Sequence, residues 1–116
     1  MDLRNQLHLD HIFPRSRFTE RWLCSAGVPR GRVDDFIQIR DGLANLQLLQ
    51  GAENNEKRAK MPNEWLRQSQ PDATSRQAYL DRHQLGDIPD SITEFDAFYE
   101  ARRECLKARI KQLLGK

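Results

Sequence analysis

Paired cysteines are missing from this chain of 116 residues. Its two, Cys24 and Cys105, lie far apart, and no C-x-x-C spacing exists. That excludes a zinc knuckle or ribbon, which needs ligands in close pairs. The two read as buried free thiols, with a single disulfide as the alternative. No apolar run reaches the roughly 20 residues of a membrane span, and no signal-peptide pattern opens the chain. A strong charge of one sign is also missing. Net charge is +2 with 19 Lys and Arg against 17 Asp and Glu, which excludes a histone-like polycation. Aromatics make up 8%. The core is therefore modest, and a domain this small has ordinary or marginal stability. The length is that of one domain. Repeats and low-complexity segments are absent.

Charge is uneven nevertheless. Arg15 to Arg40 carries six Arg against Glu20, Asp34 and Asp35. Such a face suits phosphate, although a solvated surface would look the same.

The stretch His8-Leu9-Asp10-His11-Ile12-Phe13-Pro14 organises the rest. Gln6 to Ile12 alternates as a strand does, and Pro14 ends it. A carboxylate beside an imidazole can hold a hard cation while the ring takes a proton from water. On a strand, however, Asp10 and His11 point to opposite faces. A site shared by both requires a bend or bulge. A regular strand with the two side chains pointing apart contradicts it.

Arg17 to Ala26 reads as a helix with Phe18, Trp22 and Leu23 inward, ended by Gly27 and Pro29. Gly31 to Ile39 is a second helical piece with Val33, Phe36 and Ile37 inward. Asp41-Gly42 marks a turn. Leu43 to Gln50 suits a strand that pairs antiparallel with the first. Ala52 to Lys60 is helix-prone but has hardly any apolar face, which suits a helix that meets a charged partner. Pro62 opens a helix to Gln68. Capping boxes at Thr74-Ser75-Arg76-Gln77 and Ser91-Ile92-Thr93-Glu94 open two more. The last, Ile92 to Leu114, carries a stripe of Phe95, Tyr99, Leu106, Ile110 and Leu113 and reads as scaffold. The fold expected is α+β and mostly helical: a two-stranded antiparallel hairpin plus helix, about 5–60, set in a helical scaffold, about 62–115.

A hairpin closed onto a helix gathers Asp10-His11, Asn45 and Asn54-x-x-Lys57. Asn54 can supply a second oxygen to a cation held by Asp10. Asn45 can orient the His11 ring or pin the loop beside it. Each has a plainer reading: His11 a satisfied core histidine, Asn45 a turn residue, Asn54 a helix cap or a neighbour of the true position, Asn55.

Asp10-His11-Ile12-Phe13-Pro14, Asn45-Leu46-Gln47-Leu48-Leu49 and Glu53-Asn54-Asn55-Glu56-Lys57 together resemble the HNH endonuclease motif, whose fold is the ββα-metal finger. With Arg15-Ser16, Lys60-Met61-Pro62-Asn63-Glu64-Trp65-Leu66 and Phe95 to Arg103, the chain resembles the C-terminal HNH domain of GmrSD-type anti-phage restriction proteins. HNH domains of CRISPR effector nucleases share the arrangement. The resemblance implies a DNA endonuclease with His11 as general base and Asp10 and Asn54 as ligands of Mg²⁺ or Mn²⁺. It makes Asn45 the residue that orients the base or pins the loop. Arg15, Arg17, Lys57 and Lys60 would face DNA phosphates, and His8 is a possible accessory residue. It further implies a prokaryotic, cytoplasmic protein, an N-terminal regulatory or ParB-like NTPase domain in the same polypeptide, and pairing of copies where both strands are cut. Met1-Asp2-Leu3, opening almost at the motif, reads as a domain cut from a longer chain. The alternative is a nucleic-acid-binding module that keeps the fold without catalysis.

Overall fold

The computed structural model describes residues 7–50 and 56–115. Two strands, β1 (Leu7–His11) and β2 (Leu46–Gln50), form an antiparallel hairpin. Among the described residues five α-helices have both ends defined: α1 (Glu20–Ala26), α2 (Val33–Ile39), α3 (Pro62–Ser69), α4 (Ala73–Arg82) and α5 (Phe95–Leu114). The fold is the expected α+β, mostly helical arrangement. No described helix is long and apolar enough to cross a membrane.

The long connection between the strands is built from local signals. Arg15–Arg17 is one 3-10 turn. Thr19 then caps α1, its hydroxyl accepting from the Trp22 amide at 3.2 Å. The helix thus starts later than apolar spacing suggests, and Trp22, expected inward, is 52% exposed. Gly27 ends α1 at φ 112, a left-handed conformation that glycine adopts without strain. The strand expected from Leu43 begins only at Leu46, because Leu43–Asn45 is a 3-10 turn. Helix α4 is capped by Asp72, not by Thr74, through the Ser75 amide at 3.0 Å. Ser91 does cap, but what it opens is the 3-10 turn Ile92–Glu94 that leads into α5.

The core is aromatic. Phe13 lies 5.3 Å from both Phe95 and Phe98, and Phe18 lies 4.8 Å from Phe95, ring centre to ring centre. Helix α5 supplies this core from its first half only. Phe95, Phe98 and Arg102 are buried, whereas Ile110 and Leu113 stand 48% and 65% exposed. The scaffold stripe read from the sequence therefore stops near Arg102. Cys24 is partly buried, Cys105 is exposed, and both are free thiols, so the expected burial fails for Cys105.

Arg102 fixes α5 to the entrance of β2. Its guanidinium donates to the carbonyls of Ala44 at 3.1 Å, Leu46 at 2.6 Å and His83 at 3.0 Å. Gly42, just before that turn, lies against Tyr99, and a Cβ there would collide with the tyrosine ring. The end of the hairpin is thus held by the scaffold from one side.

Candidate functional site

Strand β1 pairs with β2 residue for residue: His8 with Leu49, Leu9 with Leu48, Asp10 with Gln47, His11 with Leu46. The expected bend or bulge at Asp10-His11 is not there. The register is unbroken through His11, so the strand's alternation sends the two side chains to opposite faces. A site shared by both is therefore not assembled by a distortion of the strand, which corrects that expectation.

Asp10 faces inward. It is 7% exposed, and its Oδ2 accepts from the Gln47 amide at 2.9 Å and from the Lys57 ammonium at 3.0 Å. Gln47 is held in turn by the Tyr79 hydroxyl at 3.2 Å, and Tyr79 by the Trp65 indole at 3.2 Å. A buried carboxylate requires such partners.

Lys57 corrects a second expectation. A side chain meant for DNA phosphate would reach solvent, but Lys57 is fully buried. Its Nζ also donates to the carbonyls of His11 at 2.9 Å and Ile12 at 3.2 Å. Burial pushes the pKa of its ammonium down, and the Asp10 charge pulls it back up. Lys57 and the preceding Glu56 are helical, so a helical turn does meet the strand end. Asn54 and its alternative Asn55 lie outside the described residues.

His11 faces the other way and is partly open, at 28% side-chain exposure. Its Nε2 lies 2.8 Å from Asp41 Oδ1. Asp41 is held below the usual carboxylate range, first by this hydrogen bond and then by the charges of Arg40 and Arg15. An ionised carboxylate only accepts, so Nε2 carries the proton and donates. In the neutral ring Nδ1 is then the acceptor.

Asn45 is fully buried. Its Oδ1 accepts from the Phe13 amide at 2.9 Å, and its Nδ2 donates to the carbonyls of Phe13 at 3.1 Å and Arg40 at 2.8 Å. The Ile12 amide donates to the Asn45 carbonyl at 2.7 Å. Of the two roles read for it, these bonds are those of loop pinning. The contact that orients the ring comes from Asp41. That residue was legible only as half of an Asp-Gly turn, and no spacing rule links it to His11.

The remaining basic residues scatter. Arg15 comes within 3.9 Å of Asp41 and is 64% exposed. Arg17 stacks over Trp22 at 4.9 Å. Lys60 donates to the Glu56 carbonyl at 2.7 Å and lines a cleft with Arg58 and Trp65. His8 is half-buried on the inner face, two residues from Asp10.

Among the described residues no group of three or more His, Cys, Asp or Glu could hold a metal ion. The donors around Asp10 are hard oxygens, chemically right for Mg²⁺ or Mn²⁺. They are taken, however: three of them stand 2.9, 3.0 and 3.2 Å from the Lys57 nitrogen, which is ammonium distance and not the roughly 2.1 Å of bound Mg²⁺. In this arrangement the described residues do not fit a divalent ion. No protein-family model and no curated protein matches the chain.

Proposed function

We propose that the chain is an HNH-type DNA endonuclease domain, the nuclease part of a prokaryotic anti-phage restriction protein. The observation that carries this reading is the His11 imidazole at the hairpin end, partly open and held at Nε2 by Asp41. The loop that follows it is clamped at Phe13 by Asn45. A general base needs one ring nitrogen fixed and the other able to accept. His11 Nδ1 takes a proton from water, and the resulting hydroxide attacks phosphorus opposite the 3′ oxygen; the P–O3′ bond breaks and the departing oxygen takes a proton from solvent, leaving 5′-phosphate and 3′-hydroxyl ends. Arg15, beside Asp41, supplies positive charge for a backbone phosphate. Mg²⁺ or Mn²⁺ belongs to the proposed activity; its place at Asp10 is contested by Lys57. Pairing of two copies belongs to double-strand cutting.

One observation favours the second reading, a DNA-binding module without catalysis. The unbroken strand parts Asp10 from His11, and Asp10 is already neutralised. Supercoiled plasmid separates the two. The nuclease reading expects nicking in Mg²⁺ or Mn²⁺, stopped by EDTA and by His11→Ala, while His11→Ala still binds DNA. Residual nicking by His11→Ala at the wild-type rate removes His11 from the chemistry. Binding without nicking by both proteins selects the second reading.

A further inference from the structure

We infer that Lys57 is the resident cation of the Asp10 cradle, and that a divalent ion reaches Asp10 only by displacing it. The inference rests on the nuclease reading for the metal's purpose, but not for its geometry. The Lys57 ammonium has three donors, and three oxygens receive them: Asp10 Oδ2 at 3.0 Å, His11 O at 2.9 Å and Ile12 O at 3.2 Å. The set is saturated: each ammonium donor has its oxygen, and none of the three oxygens can take a metal while the nitrogen stays between them.

Size and charge both make occupancy exclusive. Ammonium takes oxygens near 3 Å, whereas a bound Mg²⁺ would draw each of them in by about 0.9 Å. An ammonium and a divalent ion on one carboxylate repel strongly where water is excluded, as it is around a fully buried Lys57. Asp10 is also not free to turn outward, because Gln47 and Tyr79 brace it from behind. The strand end thus holds a cation site already filled from within. Metal loading has to be coupled to withdrawal of Lys57 and the chain that bears it.

Mg²⁺ titration without DNA tests this, so its outcome is separate from whether the protein cuts. Binding is followed by calorimetry, and the Lys57 side-chain ammonium by ¹⁵N NMR. The expected result is weak binding, or none at millimolar Mg²⁺, in the wild type. Any wild-type binding at this site should shift the Lys57 signal in step with saturation and be lost in Asp10→Asn. In Lys57→Met, if folded, Mg²⁺ should bind at least about tenfold tighter. Saturation of the wild type that is lost in Asp10→Asn yet leaves the Lys57 signal unmoved overturns the inference. So does a folded Lys57→Met that binds Mg²⁺ no better than wild type. If Lys57→Met does not fold, the neutral Lys57→Gln takes its place, with the same tenfold gain expected and the same absence of gain overturning the inference.

Discussion

Asp10 and His11 are neighbours in sequence and live in different media. The face of β1 that carries Asp10 is closed, with the carboxylate braced by Gln47 and paired with Lys57 inside the domain. The face that carries His11 is open enough for solvent, and its partner Asp41 is itself 54% exposed. One residue of strand alternation separates a buried ion pair from a surface dyad. A buried pair serves structure, since breaking it leaves an uncompensated charge. A surface dyad stabilises little and can be spent on chemistry. The motif's two adjacent letters are therefore unequal: the resting structure uses Asp10 and offers His11.

Substitutions on the two faces should separate activity from stability. The largest effect is expected from His11→Ala: plasmid cleavage falls by at least about a hundredfold, with the thermal midpoint almost unchanged. Next comes Asn45→Ala, which strips two hydrogen bonds from the buried Phe13 backbone and one from the part-buried Arg40 carbonyl. Denaturant unfolding should show a loss of about 3 kcal/mol, and cleavage should fall with it as the His11 loop loosens. Asp41→Ala is smaller, with roughly tenfold slower cleavage and little change in stability. Its structural signature is clean: ¹⁵N shifts of the His11 ring should show the Nε2-protonated tautomer in wild type and a mixture in the variant.

The smallest effect is a pH dependence at His83. His83 stacks on Tyr79 at 4.4 Å, and burial, with Arg82 and Arg102 nearby, lowers its pKa from 6.5. A histidine with a depressed folded pKa binds its proton more readily when unfolded. Its stability contribution is complete above 6.5 and is lost as pH falls through the folded value. The thermal midpoint should therefore drop on acidification below 6.5, and His83→Gln should flatten that part of the curve.

The hairpin and its helical scaffold were legible because they follow local rules: alternation in Leu7 to His11, Pro62 at a helix start, a cap at Ser91. Boundaries slipped where a 3-10 turn took residues that also suited the neighbouring element, at Arg15–Arg17 and Leu43–Asn45. The site was legible as residue types. Asn45 sits where a polar side chain was needed, and its carboxamide found backbone. Lys57 was misread because a basic residue in a polar segment looks solvent-bound, and only the tertiary fold shows three oxygens waiting for it. Asp41 and Arg102 are not legible for the same reason, since Asp41 meets His11 across 30 residues and Arg102 meets Ala44 across 58.

The unequal roles of the two neighbours are tested most directly by thermal unfolding of Asp10→Asn beside His11→Ala under one set of conditions. Asp10→Asn leaves the Lys57 ammonium buried without its counter-charge and should cost about 3 kcal/mol or more, which is on the order of ten degrees. His11→Ala should stay within a degree or two of wild type, at roughly the cost of one surface hydrogen bond. Equal losses in the two variants, or an Asp10→Asn protein as stable as wild type, would contradict the account.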